Sequence, residues 1–347
     1  MREKVRFGVV GTNFITDWLI EGARLDPRFE LTAVCSRTRE RGEEFAVRHS
    51  IAHVFTSLEE MAASDLIDAV YIASPNFMHA AQSILCMRHG KHVLCEKPLA
   101  SNAAEARAMI ESSRRYGVTL MEAMKPTMTP HFRSLKDNLG RIGKVRRYFA
   151  SYCQYSSRYD KFKAGELPNA FNPLLSNGAI MDIGVYTVYP MVALFGRPEK
   201  VSASGVKLSS GVDGQGAVTF DYADGMQATV LYSKIADSKL RSEIQGEDGL
   251  ISLDTINRMA DISFTPRAVN LGGGKSEQAV TENISATAYD NEYYYEVAEF
   301  ISLILEGRRE SEINSHAASL TTMELLDEIR RQIGVEFPAD VSPKLEL

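Results

Sequence analysis

The chain has 347 residues, of which 44% are hydrophobic and 24% are charged, a balance typical of globular proteins that fold in water. This length suggests about two domains. The net charge of −6, without a dense basic run, argues against nucleic acid and anionic membranes as partners.

The N-terminus shows no apolar targeting segment, and we find no apolar run that approaches the ~18 residues needed to cross a bilayer. Cys35, Cys86, Cys95 and Cys153 form no Cys-x-x-Cys pair, and three of them lie in apolar strands or helices. Such cysteines are typical of reduced core thiols. We therefore expect a cytoplasmic protein without a metal site.

The first 124 residues alternate between short apolar runs and amphipathic segments, which predicts a doubly wound parallel sheet. The predicted strands are Val5–Val10, Glu30–Cys35, Ala52–Phe55, Ala69–Ala73, Lys91–Cys95 and Val118–Glu122. The predicted helices are Asp17–Leu25, Arg39–His49, Ser57–Ala63, Asn76–His89 and Asn102–Tyr116.

The turn after the first strand reads Gly11-Thr12-Asn13-Phe14-Ile15-Thr16, a degenerate form of the G-x-G-x-x-G dinucleotide fingerprint. Asn13 replaces the second glycine, and asparagine tolerates positive φ better than most residues. Thr16 replaces the third glycine, which predicts looser packing of helix on strand. A plain strand-to-helix turn is an equally good interpretation.

The end of the second strand bears on the choice of cofactor. It reads Cys35-Ser36-Arg37-Thr38-Arg39, with no carboxylate before Glu40 to accept a hydrogen bond from a ribose 2′-hydroxyl. A hydroxyl beside a guanidinium suits a 2′-phosphate instead. Ser36 and Arg37 thus favour NADP over NAD, unless Arg37 is simply a solvated residue before the next helix.

Three segments of the predicted parallel sheet converge at its carboxyl edge, where such sheets bind ligands: 11–15, 74–79 and 96–98. In Ser74-Pro75-Asn76, the asparagine can hydrogen-bond a cofactor near the nicotinamide, cap the next helix, or do both. His79 follows three residues later, and a lone helical histidine is more often structural than catalytic.

Lys97, in the stretch Cys95-Glu96-Lys97-Pro98-Leu99, is the candidate catalytic lysine. The following proline favours extended backbone at Lys97 and permits a cis bond. Beside a nicotinamide ring, such a lysine can have a lowered pKa and polarise a substrate oxygen. The alternative is a surface pair with Glu96.

After Met124 the pattern changes to longer alternating strands joined by local turns, which predicts an antiparallel sheet. Gly272-Gly273-Gly274 is interpreted as a hairpin tip. The polar segment 152–172 either lines a substrate pocket or is a solvated loop. The predicted strands are Lys144–Tyr155, Lys200–Val206, Gly216–Tyr222, Met226–Lys234, Lys239–Gln245 and Leu250–Leu253, and the predicted helices are His131–Leu139, Asn291–Glu306 and Ser315–Ile333.

Asp182 and Tyr186 lie four residues apart, on one face of a predicted helix that Ser176 or Asn177 can cap. Together a carboxylate and a phenol can orient a substrate hydroxyl and move its proton. Gly184 leaves room between them for something bulky to approach. Pro190 predicts that the helix kinks or ends early.

These motifs occur in the order seen in the Gfo/Idh/MocA oxidoreductases, which the chain resembles over nearly its full length. The resemblance implies a Rossmann domain over residues 1–124 and an α+β domain over 125–347 with an open, mostly antiparallel sheet and helices on one face. It implies NAD(P)-dependent hydride transfer at a sugar, polyol or cyclic diol, and a homodimer or homotetramer formed through the C-terminal sheet.

By the same resemblance, Lys97 is the active-site lysine, Asp182 its partner carboxylate and Tyr186 the proton donor, as in the similar dihydrodiol dehydrogenase branch. The implied cofactor contacts are Gly11, Thr12, Asn13, Phe14, Ile15, Ser36, Arg37, Ser74, Pro75, Asn76, His79, Glu96 and Lys97.

One departure is Met124-Lys125-Pro126-Thr127, which replaces the branch's aromatic residue and arginine after Met-Glu-Ala, so the branch's substrate does not transfer. A non-catalytic, NADP-binding regulator resembling the family's corepressors is the alternative function. Reduction of an unrelated carbonyl or imine is a third.

Overall fold

The computed structural model describes residues 3–268, 270–272, 275–276 and 279–341. Its N-terminal sheet has six strands in the order β3-β2-β1-β4-β5-β6, all paired in parallel, which confirms the predicted doubly wound sheet. The strands are β1 (Val5–Val10), β2 (Phe29–Cys35), β3 (His53–Phe55), β4 (Ala69–Ile72), β5 (His92–Glu96) and β6 (Leu120–Ala123). The connecting helices are α1 (Phe14–Ala23), α2 (Arg39–His49), α3 (Leu58–Ala63), α4 (Asn76–Arg88) and α5 (Ala103–Tyr116).

The inner residues of the central strands are mostly apolar because helices cover both faces of this sheet. In β5, for example, Val93 and Cys95 lie in one core and Leu94 in the other. The sheet therefore holds its carboxyl-edge loops rigidly.

The C-terminal sheet has eight strands in the order β16-β13-β12-β11-β7-β10-β9-β8. All of its neighbouring strands are antiparallel except β7 and β10, which pair in parallel because β7 inserts between β10 and β11. Its strands are β7 (Val145–Cys153), β8 (Lys200–Lys207), β9 (Asp213–Asp221), β10 (Gln227–Ser233), β11 (Ser242–Gly246), β12 (Gly249–Leu253), β13 (Ser263–Pro266) and β16 (Glu282–Asn283).

A separate antiparallel pair, β14 (Asn270–Gly272) and β15 (Lys275–Ser276), flanks the predicted glycine hairpin tip. Residues 273 and 274 lie outside the described residues. The remaining helices are α6 (Pro130–Asn138), α7 (Tyr159–Lys163), α8 (Val185–Phe195), α9 (Tyr293–Leu305), α10 (His316–Ile333) and α11 (Pro338–Val341).

Helix α9 crosses back and completes the core of the N-terminal sheet. The Phe300 ring lies 6.0 Å from the Phe7 ring, and Val297 and Ile301 are fully buried in the same cluster. A Cβ on Gly22 would lie 2.8 Å from the backbone nitrogen of Tyr294, so α1 and α9 approach closely because residue 22 is glycine. The packing of α9 against the N-terminal sheet therefore joins the two parts of the molecule, in addition to the chain segment that links them.

The sequence predicts that the helix kinks or ends early at Pro190, and the early end is wrong. Pro190 lies inside α8, which continues to Phe195, because the surrounding residues are buried and tertiary packing outweighs the lost backbone hydrogen bond. The apolar run Pro173–Phe195 has the length and hydropathy of a membrane span, contrary to the prediction. However, 72% of its most apolar window is buried inside the protein, as in the core helix of a globular protein.

Glu122, in β6, is a buried carboxyl that anchors the loop after β5. Its Oε1 accepts a hydrogen bond of 2.9 Å from the Leu99 N–H. Burial raises the pKa of this carboxyl from 4.5 to about 7, although the Leu99 N–H favours the charged form. The folded protein therefore binds a proton at Glu122 over a pH range in which the unfolded chain has released it.

This difference predicts the pH dependence of stability. Between about pH 4.5 and pH 7 the native state binds the extra proton, so the contribution of Glu122 to the free energy of unfolding falls as pH rises. The Glu122→Gln variant has no carboxyl at this position and does not undergo this pH-dependent fall. The free energy of unfolding of the variant, relative to that of the wild type, should therefore rise by on the order of 3 kcal/mol from pH 4.5 to pH 8. Urea unfolding across this range measures it, with the exposed Glu111→Gln as control. Parallel curves for Glu122→Gln and wild type would contradict the assignment.

Candidate active site

Lys97 follows β5 at the carboxyl edge of the parallel sheet. Side chains hydrogen-bond the backbone at three successive residues there, namely Lys97, Pro98 and Leu99. The Lys97–Pro98 peptide bond is cis, which the sequence allows. The preceding Glu96 carboxylate accepts hydrogen bonds from the Tyr71 hydroxyl (2.5 Å) and from the Lys97 N–H (3.2 Å). The Glu96 side chain thus bonds Tyr71 and the Lys97 backbone, whereas the Lys97 ammonium bonds Asp182.

The segment that carries Asp182 and Tyr186 begins with a π-helical turn, Ile180–Gly184, that continues directly into α8. Its N-terminus is capped by Asp213, whose Oδ2 accepts a hydrogen bond of 2.8 Å from the Ile180 N–H. The predicted caps are therefore wrong. Ser176 has φ +55° and donates its hydroxyl to Ser101, while the Asn177 amide donates to the Asn169 carbonyl.

Two glycines allow this segment to pack closely against the C-terminal sheet. A Cβ on Gly178, where φ is +150°, would lie 2.4 Å from Asp213 Oδ1. A Cβ on Gly184 would lie 3.1 Å from the Tyr232 ring. The bulky group that approaches Gly184 is thus a core tyrosine of the protein itself.

Asp182 connects the two sheets electrostatically. Lys97 Nζ donates to the Asp182 carbonyl oxygen at 2.7 Å and to Oδ1 at 3.2 Å. Lys234 Nζ contacts Oδ2 of the same carboxylate. The alternative in which Lys97 pairs with Glu96 at the surface is therefore wrong, since only 14% of the Lys97 side chain is exposed.

Sequence reasoning missed Lys234. It directly follows β10, and 5% of its side chain is exposed. The available signal was a lysine at the end of a predicted apolar strand, but only the packing of two distant segments brings that lysine to Asp182.

The charges in this group follow from the contacts. Burial by itself raises the pKa of the Asp182 carboxyl, but Lys97 and Lys234 outweigh burial and hold this pKa well below its usual range. Burial, together with Glu96, Tyr152 and Asp182, raises the pKa of the Tyr186 hydroxyl well above its usual value. At neutral pH, Asp182 is therefore a carboxylate and Tyr186 a neutral phenol.

Tyr186 lies beside Lys97 and Tyr152. Its ring centroid is 4.8 Å from Lys97 Nζ and 5.8 Å from the Tyr152 ring centroid, with an edge-to-face geometry to the latter. No residue in the described part of the chain hydrogen-bonds the Tyr186 hydroxyl. Lys97, Asp182 and Tyr186, the three predicted catalytic residues, thus lie together with a phenol O–H available for a ligand.

These residues line a cleft of about 850 Å³ between the two sheets. Tyr155 and Arg158 also line it, in agreement with the pocket interpretation of the segment 152–172. The full lining is Phe14, Ile15, Trp18, Lys97, Lys125, Tyr152, Gln154, Tyr155, Ser156, Ser157, Arg158, Asp182, Ile183, Tyr186, Lys234, Asn257, Arg258, Asp290, Asn291, Glu292 and Tyr293.

One wall of the cleft is an ionic network that includes the altered segment after Met124. Lys125 Nζ contacts Glu292 and donates to the Asn257 carbonyl at 3.2 Å. Arg258 Nε donates to the other Glu292 oxygen at 2.9 Å. Because two cations share one carboxylate, this wall keeps N–H groups available for a polar ligand.

At the dinucleotide turn, Gly11 has φ +102°, and a Cβ there would lie 2.7 Å from the Ala73 carbonyl oxygen, so only glycine fits. Asn13 has φ −100° rather than the positive φ considered from the sequence. It instead caps α1, accepting hydrogen bonds from the N–H groups of Ile15 (2.9 Å) and Thr16 (3.3 Å).

The N–H groups of Thr12, Asn13 and Phe14 have no partner among the described residues. Free N–H groups at a helix N-terminus suit an anionic pyrophosphate. The donor set of this turn therefore fits a dinucleotide, and Phe14, Ile15 and Trp18 of α1 extend the same surface into the cleft.

The second edge segment, 74–79, mostly braces the site. Asn76 begins α4 without capping it, and its amide donates to the Ser176 carbonyl (2.9 Å) and to Asn177 Oδ1 (3.1 Å). The cap interpretation is therefore wrong, because Pro75 holds the N-cap position. The Ser74 hydroxyl donates to Gln82.

His79 is fully buried, and its ring nitrogens lie 2.8 Å from the Ser74 carbonyl and 3.0 Å from the Pro98 carbonyl. Burial lowers the pKa of its imidazole. His79 thus connects the 74–79 and 96–98 loops and does not face the cleft.

Ser36 and Arg37 lie at the end of β2 as expected. Ser36 is buried and its N–H donates to the Phe55 carbonyl at 3.0 Å, whereas Arg37 is exposed and makes no ion pair with any described residue. Among the described residues, no group of three or more His, Cys, Asp or Glu side chains is arranged to hold a metal ion.

Known proteins resemble this chain over nearly its full length. It is 52% identical over 336 residues to scyllo-inositol 2-dehydrogenase (NADP(+)) IolU of Bacillus subtilis (strain 168), which covers 97% of this chain and 99% of that protein. It is 28% identical over 348 residues to trans-1,2-dihydrobenzene-1,2-diol dehydrogenase of Sus scrofa, covering 97% and 99%.

Among solved structures, levoglucosan dehydrogenase in complex with NADH and levoglucosan superposes with a TM-score of 0.82 at 19% identity, covering 95% of this chain and 97% of that one. This likeness confirms the fold of both sheets.

Two family models match successive parts of the chain. Residues 5–124 match the model for the Gfo/Idh/MocA oxidoreductase family with an NAD-binding Rossmann fold, and residues 137–252 match the Gfo/Idh/MocA C-terminal domain. The predicted resemblance and the predicted class of NAD(P)-dependent oxidoreductase are confirmed. The chain belongs to the Gfo/Idh/MocA family of oxidoreductases.

Proposed function

We propose that the chain is an NADP-preferring dehydrogenase that interconverts a ring polyol of the inositol type and its ketone. The observation that carries this proposal is the meeting of Lys97, Asp182 and Tyr186 in a cleft that also has an ionic wall. The Bacillus subtilis relative, named for scyllo-inositol and NADP(+), supports the same substrate class.

The residues present can carry out the proton chemistry of this reaction. When bound, NADP supplies the hydride acceptor or donor at the reacting carbon. Tyr186 holds its proton at neutral pH, so it can donate to the substrate oxygen in ketone reduction. In alcohol oxidation its own proton must first leave to solvent, and the phenolate then accepts the hydroxyl proton. An ammonium has three N–H donors, and Lys97 directs two at Asp182, which leaves one to polarise the same oxygen.

The polar wall favours a fully hydroxylated ring over an apolar diol. Lys125, Glu292 and Arg258 line the same cleft as Lys97, Asp182 and Tyr186, and they carry hydrogen-bonding atoms that a ligand can use. Burying such groups against a hydrocarbon ring would cost free energy, because their hydration would be lost without replacement. We therefore propose an inositol rather than a dihydrodiol.

Residues 1–124 supply the cofactor side in this proposal and residues 125–347 the substrate side. The proposed dinucleotide contacts are the 11–15 turn, Ser36, Arg37 and the 96–97 segment, with Ser74, Pro75, Asn76 and His79 supporting them from behind. We also propose a cytoplasmic homodimer or homotetramer joined through the C-terminal sheet. The mostly exposed edge strand β8, with Val206 45% exposed, supports this assembly, and sedimentation velocity measures it.

Substituting Tyr186 tests the proton donor. Tyr186→Phe should lower kcat with scyllo-inositol and NADP by roughly 10²- to 10⁴-fold, because general acid–base catalysis is lost. The Kd for NADPH, read by energy transfer from Trp18 on α1 to the reduced nicotinamide, should change less than about twofold, since the phenol acts on the substrate. Tyr116→Phe, on α5, is the matched control. An unchanged kcat would remove Tyr186 from this role.

The same assays decide between enzyme and regulator. Wild-type protein should turn over scyllo-inositol or myo-inositol with NADP faster than a trans-dihydrodiol. Firm NADPH binding with no turnover of polyols, sugars or diketones would overturn the dehydrogenase proposal in favour of a cofactor-binding regulator.

Arg37 is the determinant of cofactor preference in this proposal. Removing a guanidinium that pairs with a 2′-phosphate costs a charge-assisted hydrogen bond, so Arg37→Ala should weaken NADPH binding by roughly 10- to 100-fold and leave NADH binding nearly unchanged. Trp18 energy transfer measures both, with Arg133→Ala on the distant helix α6 as control. Equal losses for both cofactors would show that Arg37 does not recognise the 2′-phosphate.

A further inference from the structure

The mechanism above leaves Lys234 without a role, although the fold holds it firmly in the cleft. Its backbone N–H donates to the Gly214 carbonyl, and its own carbonyl accepts from the Ser156 N–H, both at 2.9 Å. Its ammonium lies 5.7 Å from the centroid of the buried Phe171 ring and contacts Asp182 Oδ2. Only 5% of the side chain is exposed, so this lysine is not a solvated surface group.

The local charge count is unusual for a merely structural ion pair. Two ammonium groups, from Lys97 and Lys234, face one carboxylate, and taking a second cation out of water is costly unless it serves a purpose. The other titratable groups near this pair are Tyr152 and Tyr186, phenols with a raised pKa that carry no charge at neutral pH, and Glu96, whose carboxyl interacts with Lys97. At the cleft, two ammonium groups therefore share the Asp182 carboxylate.

The two lysines also divide the Asp182 oxygens between them. Lys234 contacts Oδ2, whereas Lys97 uses Oδ1 at 3.2 Å and the backbone carbonyl at 2.7 Å. With only Lys97 present, both carboxylate oxygens would draw on its three N–H donors. With Lys234 present, the carboxylate is satisfied from its far side.

We propose that Lys234 is a positioning residue that fixes the Asp182 carboxylate and so leaves one N–H of Lys97 for the substrate oxygen. This inference rests on the proposed function, in which Lys97 polarises that oxygen. Lys234 itself exchanges no proton and forms no bond during the reaction.

The first test needs neither cofactor nor substrate. In protein labelled with 13C at the aspartate carboxyls, the Asp182 signal is assigned by its loss in Asp182→Asn and then titrated with acid. Lys234→Met should move the Asp182 titration up by about 1 pH unit or more, because one of two neighbouring cations is lost. Lys234→Arg should restore most of the shift, and Lys200→Met, on the exposed strand β8, should cause none.

The second test uses turnover of scyllo-inositol with NADP. Lys234→Met should lower kcat by roughly 10- to 100-fold, as expected for a misplaced catalytic group, and move the acid limb of the pH profile upward. Adding Lys234→Met to Asp182→Asn should cause little further loss, because the lysine acts through that carboxylate. If Lys234→Met does not fold, Lys234→Gln takes its place.

The two tests separate the proposals. An Asp182 titration unmoved by Lys234→Met, or independent losses in the double variant, would overturn the role of Lys234 while leaving the dehydrogenase intact. If the Asp182 shift is seen but the wild type turns over no polyol, the proposed function fails and the hold of Lys234 on Asp182 stands.

Discussion

The Asp182 carboxylate lies between the ammonium groups of Lys97 and Lys234, and this contact joins the two halves of the molecule. Lys97 follows a strand of the parallel sheet, and Lys234 follows a strand of the C-terminal sheet. Lys97, with 14% of its side chain exposed, would be costly to bury without this partner, so the contact favours keeping the two sheets together. The cleft between the sheets therefore has a fixed floor, on which Tyr186 is held beside Lys97.

The position of Asp182 depends in turn on how its helical segment begins. Asp213 satisfies the Ile180 N–H from a different strand, and Gly178 and Gly184 give Asp213 and Tyr232 the space to approach. A π-turn inserts an extra residue into a helix and is frequent at functional sites. Here the π-turn contains Asp182 itself. The backbone geometry of this turn therefore sets where the Asp182 carboxylate lies relative to the two lysines.

The sequence predicted those features that repeat along the chain or lie close together in it. The apolar period of the first 124 residues predicted the parallel sheet, and its carboxyl-edge loops located Lys97. The spacing of Asp182 and Tyr186 placed both in the cleft. The sequence could not predict that Asp213 caps the helix of Asp182 and Tyr186, or that Lys234 pairs with Asp182, because both contacts join segments more than 30 residues apart. The degenerate glycine motif likewise could not show the role of Asn13. This residue caps α1 with its side chain and does not adopt the positive φ that a glycine at this position would allow.

The ionic wall of the cleft is coupled to the core of the N-terminal sheet. Lys125 of this wall pairs with Glu292. Glu292 directly precedes α9, and α9 is held in place because Phe300 and its neighbours fill the core of the N-terminal sheet. The ion pair therefore has one rigid end, and Arg258 adds a second cation to the same carboxylate. Replacing Lys125 alone would leave Glu292, which is nearly buried, with Arg258 as its remaining cation, so the geometry of this wall depends on residues 125 and 292 together.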